Sequence, residues 1–184
     1  MIHDVTVSLA GLGVAGQAAG AALLLVGVFA LVGLGGPLRS LRSLLEGYEL
    51  WLAFLVAAVA TGGSLFFSEI AHFVPCELCW YQRICMYPLS ITTLLAAVVD
   101  DRRAVRYLLP LPLVGAGVSV YHILVENGVV SQARACFISA PGGCAVKWIN
   151  EFGYITIPTL ALTGFALSFA FVLLAVVEPH PRVT

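Results

Sequence analysis

The stretch LWLAFLVAAVATGGSLFFSEI, Leu50–Ile70, carries a single ionisable residue, Glu69, next to its end. A hydrocarbon core about 30 Å thick requires roughly 20 apolar residues in a helix rising about 1.5 Å per residue, and this stretch supplies them. Working outward, Trp80–Val99, Tyr107–Val125 and Tyr154–Val177 satisfy the same requirement. A fifth stretch, Leu9–Leu34, is apolar but richer in glycine and alanine. Its Gly13, Gly16 and Gly20 recur at helical spacing, which lets another helix approach closely. Met1–Ser8 contains no Lys or Arg, so the basic opening of a signal peptide is missing and the stretch is read as an additional membrane helix.

Composition agrees. Of 184 residues, 60% are hydrophobic and 10% charged, with a mean hydropathy of +1.00. Soluble domains carry about 25% charged residues, so this chain lacks the polar surface that water demands and its partner is the lipid bilayer. Nine basic residues against ten acidic ones leave no basic field, and no nucleic-acid partner is expected. The expected fold class is an all-α integral membrane protein, a four-helix transmembrane bundle with an additional N-terminal transmembrane helix. Residues 1–47 form the extra helix plus an amphipathic interfacial segment, Leu38–Gly47, and residues 48–184 form the four-helix domain.

Positive charge orients the chain. With five spans, alternate connections divide the nine basic residues into Arg39, Arg42, Arg102, Arg103, Arg106 and Arg182 on one side and Arg83, Arg134 and Lys147 on the other. The richer side is expected to be cytoplasmic. The N-terminus, the Cys76 region and the loop Asn127–Gly153 then lie outside, and both cysteine pairs face the oxidising compartment.

Cys76-Glu77-Leu78-Cys79 is a CxxC at the mouth of a helix, introduced by Pro75. Its spacing lets two sulfurs bond within one helical turn. It also sets Cys76 at a helix N-terminus, where unpaired N–H groups favour a thiolate, the attacking species in disulfide exchange. A structural bridge or half of a zinc site are the competing readings, and zinc asks for four ligands. Cys136 and Cys144 bracket Phe137–Gly143, where Pro141-Gly142-Gly143 lets the chain fold back so that those sulfurs could meet. Alone this pair reads as a static disulfide; beside a CxxC on the same face it reads as a relay. Cys85, six residues after Cys79, is expected to be buried and inert. Arg83 follows Cys79 by four positions, on the same helix face one turn deeper. An arginine inside the membrane boundary is expensive, so it is expected either to stabilise a Cys79 thiolate or to snorkel to the headgroups.

Pro75-Cys76-Glu77-Leu78-Cys79-Trp80-Tyr81-Gln82-Arg83 resembles the signature of the disulfide bond formation protein B family, DsbB, called BdbC in Gram-positive bacteria. The order of later features is similar too: Tyr121-His122, then an outer-loop cysteine pair, then Gly143-Cys144-Ala145, Trp148, Phe152-Gly153 and Ile157-Pro158. The resemblance covers about Leu50–Val177. It implies a quinone-dependent oxidoreductase of the bacterial inner membrane that reoxidises a DsbA- or BdbD-like thioredoxin-fold protein. It further implies that Cys136 meets the partner, Cys144 resolves the mixed disulfide and exchanges with Cys76, and Cys79 passes electrons to a quinone held by Arg83. His122 matches a family histidine approximately, and His72, one turn before Cys76, is a proton-handling candidate; both join Arg83 as quinone-site candidates. The short loop between Cys136 and Cys144 is closer to the Gram-positive type, which favours menaquinone over ubiquinone.

Two rivals use the same cysteines. A quinone-linked vitamin K epoxide reductase homologue would place its loop cysteines before the CxxC, the reverse of the order here. A metal-binding or transport module would use Cys76, Cys79, Cys136, Cys144 and His72, and it predicts polar residues deep in several helices. Only Ser64, Ser68, Glu69, Ser119 and Glu126 answer to that, most of them near helix ends. No metal is expected.

Overall fold

The computed structural model describes residues 2–31, 43–101 and 106–177. Within them the chain is helical, with five helices long and apolar enough to cross a bilayer. These are α1 (Ile2–Leu31), α2 (Glu49–Leu65), α3 (Glu77–Val99), α4 (Pro110–Glu126) and, after a short outer helix α5 (Arg134–Ser139), α6 (Ile157–Val177). The expected all-α membrane architecture is therefore what the chain adopts. Part of the interfacial segment, Leu38–Arg42, most of the Asp100–Arg106 turn and the tail Glu178–Thr184 lie outside the described residues.

Around the bundle, α2 packs on α3, α3 on α4, α4 on α6 and α6 on α2, while α1 lies outside against α6. Three apolar layers fill the interior. At one end Leu50, Ala53, Ala96, Val172 and Ala175 meet; at mid-depth Ala57, Cys85, Met86, Leu89 and Phe165; at the other end Leu78 and Val125 pack with Cys76, Cys136 and Cys144. Cys85 is thus part of the apolar core. Gly115 explains the tight α4–α6 crossing, because a Cβ there would run into the Phe165 ring.

Helix ends follow local chemistry. Residues 66–70 continue α2 as a π turn, with Ala71 N–H reaching Phe66 O at 3.0 Å. The chain then extends into α3, whose N-cap is Cys76 itself, with φ −72° and ψ 171°. The final helix begins at Ile157, three residues later than Tyr154. Phe152 and Gly153 are both left-handed (φ 53° and 79°), and the turn they make is closed by a bridge between Glu151 and Ile155. Likewise α1 starts at Ile2, earlier than Leu9, since its first turns are no less helical for being polar.

Along α1, Gly13 abuts Leu160, Gly16 meets Thr163 and Leu167, and Gly20 meets Leu167. Both series ascend together, so α1 and α6 run parallel. That is the parity five spans require. Gln17 ties the pair with two hydrogen bonds, donating to Thr163 Oγ1 at 3.3 Å and accepting from Tyr154 Oη at 3.1 Å.

Candidate thiol–disulfide site

The first turn of α3 holds the CxxC. Cys76 Sγ accepts the Cys79 backbone N–H at 3.3 Å, the bond that an N-cap side chain makes, and it lies 2.7 Å from Cys79 Sγ. That separation is well inside van der Waals contact. Cys76 is 4% exposed. Its thiol is held well below the ordinary thiol range, first by the hydrogen bond from Cys79, then by the hydrogen bonds from His122 and the Cys79 N–H, against the opposing effect of burial.

Cys136 and Cys144 are joined by a disulfide with Cα atoms 5.3 Å apart. The loop between them turns on Gly142 and Gly143, both left-handed (φ 81° and 75°), a conformation that side chains with a Cβ rarely take. Gln132 closes the turn, its Oε1 accepting Cys144 N–H at 2.8 Å. The result is a bond sealed from solvent, with Cys136 2% and Cys144 1% exposed.

His122, buried in the last turns of α4, joins the two pairs. Its Nε2 lies 3.7 Å from Cys76 Sγ and 3.0 Å from the Cys144 carbonyl oxygen. The neighbours decide its tautomer. Ser119 Oγ donates to Gly115 O at 2.9 Å, so it accepts from Gln82 Nε2 at 3.2 Å. The remaining N–H of that amide faces His122 Nδ1 at 3.5 Å. Nδ1 is then the acceptor and the proton sits on Nε2, toward the sulfur and the carbonyl. Glu126, one turn beyond His122, accepts from Thr156 Oγ1 at 2.8 Å and lines a crevice with Cys76, Cys144 and His122.

On the other side of Cys79 an apolar groove of about 470 Å³ opens between α1, α2, α3 and α6. Arg83 lines it and does not snorkel: it is 9% exposed, its Nε donating to Ser64 Oγ and its Nη2 to Ser64 O, each at 3.0 Å. Trp80 stacks under the guanidinium at 5.2 Å. Near Cys79 the rings of Phe67, Phe73 and Trp148 form a stack with centroids 5.8 and 5.1 Å apart, binding the outer loop to α2.

Of the residues singled out from sequence, the fold brings Cys76, Cys79, Cys136, Cys144 and His122 together and sets Arg83 on the far side of Cys79. His72 is not brought in. The segment from it to Cys76 is not helical and His72 itself is left-handed (φ 55°), so it is not one turn away, and its side chain is exposed. Gln82, Ser119, Ser64 and Glu126 were legible only as polar residues in apolar helices. The signal for two of them is spacing: Gln82 follows Cys79 by three, and Ser119 precedes His122 by three.

A multi-pass helical bundle with a free dithiol, a disulfide and a histidine gathered at one end defines a membrane protein of thiol–disulfide chemistry. Residues 48–177 match the family model for disulfide bond formation protein DsbB, and the chain belongs to that family. It is 44% identical over 126 residues to disulfide bond formation protein C of Bacillus subtilis, covering 68% of this chain and 90% of that one. A probable disulfide formation protein of Deinococcus radiodurans is 42% identical over 145 residues, 74% of this chain and 91% of that one. One from Coxiella burnetii is 38% identical over 133 residues, 72% and 90% respectively. No solved structure matches the chain.

Proposed function

We propose that this protein reoxidises an extracytoplasmic thioredoxin-fold protein of the DsbA or BdbD kind and passes the electrons to a membrane quinone, with menaquinone favoured over ubiquinone. The observation that carries the reading is the position of Cys79, whose thiol pair shares one buried cluster with the loop disulfide, bridged by His122, and opens onto an apolar groove on the other side. A groove of about 470 Å³ is in the size range of small-molecule sites, and the Phe67–Phe73–Trp148 stack and Arg83 suit a flat, polar-edged ring.

The exchange steps use the chain's own sulfurs. A partner thiolate attacks Cys136, displacing Cys144 as thiolate; the partner's second thiol then releases the mixed disulfide, leaving the partner oxidised and both loop cysteines reduced. With Cys76 and Cys79 bonded, Cys144 attacks Cys76 and Cys79 leaves as thiolate. Cys136 then attacks Cys144, which restores the loop disulfide and frees Cys76. His122 Nε2–H steadies the thiolate at Cys76. The dithiol left at Cys76 and Cys79 closes again to a disulfide, giving up two electrons and two protons, for which a quinone held beside Cys79 and Arg83 would be the acceptor. Phe137 and Ile138 of α5, exposed directly after Cys136, offer the partner an apolar foothold.

A metal site is the second reading, because Cys76, Cys79 and His122 place their ligand atoms within 4.8 Å of one another. These are three ligands, one short of the four a structural zinc takes, and no further His, Cys, Asp or Glu joins the cluster among the described residues. The test is quinone reduction by purified protein supplied with a reduced thioredoxin-fold protein. We expect Cys79→Ser to abolish turnover, Cys136→Ser to block partner oxidation, and Arg83→Ala to raise the quinone KM about ten-fold. Stoichiometric zinc in folded protein that reduces no quinone would favour the metal reading instead.

A further inference from the structure

Residues before Tyr48 lie outside the family match, yet α1 forms part of the groove at Cys79. Its face divides in two. Gly13 and Gly16 pack on α6, with Gln17 bonded to Thr163 and Tyr154, so the helix is docked rather than tethered. Beside that seam, exposed Leu12, Ala15 and Ala19 line the groove. Leu9 crosses to the Gly63 region of α2, where the residue next along, Ser64, holds Arg83.

Along α2 the groove is lined from Leu52 to Ser68, about 24 Å at 1.5 Å per residue. Its polar lining residues cluster at the Cys79 end, namely Ser64, Ser68, Gln82 and Arg83; Thr163, farther along, is already bonded to Gln17. The remainder is aliphatic or aromatic. Such a groove, continuous with a site for a ring and running most of the depth of the hydrocarbon core, has the dimensions of a ring carrying a long hydrocarbon tail.

We infer that α1 is the lipid-side wall of a channel for the isoprenoid tail of the quinone, so that this additional helix sets how tightly long-tailed acceptors are held. The inference rests on the quinone reading of the Cys79 site. It requires that α1 act on the tail and not on the ring, and the tail's presence or absence separates the two.

The experiment compares KM for a long-tailed menaquinone and for a naphthoquinone with no side chain, in the full-length protein and in Ala15→Phe and Ala19→Phe variants. Both positions are exposed at the groove's edge and away from the glycine seam, so the larger ring enters the channel without displacing α1. Wild type is expected to hold the tailed quinone more tightly than the tailless one. The variants are expected to raise the tailed KM about ten-fold while leaving kcat and KM for the tailless quinone unchanged, which also certifies that they are folded. Unchanged tailed KM in both variants overturns the inference and leaves the groove to bilayer lipid. Equal loss with both quinones would mean that α1 supports the ring site structurally, and it overturns the inference as well. Absence of any quinone reduction in wild type with titratable thiols defeats the quinone reading itself, a different result from either.

Discussion

At His122 a single proton is positioned by a chain of partners that begins at a backbone carbonyl. Gly115 O takes the Ser119 hydroxyl, Ser119 takes the Gln82 amide, and Gln82 faces Nδ1, leaving Nε2–H for Cys76. Because His122 helps hold the Cys76 thiol low, the thiolate survives as pH falls below the ordinary thiol value of about 8.5 and is lost only near its lowered value. His122→Phe removes that contribution. The midpoint of Cys76 alkylation in the reduced protein, followed by mass spectrometry against pH, should move up. Gln82→Leu should move it in the same direction by less, since the imidazole remains but its tautomer is freed. An unshifted midpoint in His122→Phe would remove the histidine from the site. The cysteines were readable from spacing alone and His122 from family likeness. Gln82 was not, because its role exists only once α3 and α4 are in register.

Among the elements, the outer loop is the one whose geometry is most demanding. Its disulfide closes because Gly142 and Gly143 take left-handed backbone and because Gln132 caps the turn, with no room for a Cβ at Gly143. Gly143→Ala combines a strained φ with a collision against Gln132, a penalty of about 1–3 kcal/mol on the closed loop. It should lower the fraction of Cys136–Cys144 disulfide at a fixed thiol:disulfide buffer ratio, read by alkylation mass shift. A wild-type fraction in that variant would mean that the turn does not govern the bond. The same demands explain where helix boundaries were misread. Hydropathy runs through Tyr154 without a break, whereas the Glu151–Ile155 bridge and two left-handed residues delay α6 to Ile157. Hydropathy likewise does not register the π turn at 66–70 or the left-handed turn at His72 and the non-helical run after it.

For the molecule as a whole, helix packing sets which ends share a side, and charge distribution is the ground for expecting that side to be outside. With Arg83 buried within α3, the connections carry six basic residues on one side and two, Arg134 and Lys147, on the other, and α1 runs parallel to α6, so that the N-terminus and the cysteine loop share a side. A membrane-impermeant maleimide on intact cells should label Ile138→Cys, the loop residue 87% exposed, and should label Asp100→Cys only after permeabilisation. The reverse pattern would invert the orientation. At this scale the sequence was most informative, since five apolar stretches and a shortage of charge leave few alternatives to a helical bundle. It could not say which helices neighbour which, or that α1 reaches the groove, because a uniformly apolar helix shows no preferred face until a partner is docked on it.

The seal over the loop disulfide has a kinetic meaning. Cys136 is buried, so on the proposed function a thiol reaches the bond in line only when the loop lifts, and the exchange rate is then the intrinsic rate multiplied by the open fraction. A protein that grips Phe137 and Ile138 raises that fraction by binding; a small thiol, with nothing to grip, does not. Glutathione should therefore reduce the native bond far more slowly than the same bond in the denatured chain. On the proposed function the closed loop is an insulator, sparing the oxidant from discharge by small thiols while leaving it available to a protein that brings its own means of entry.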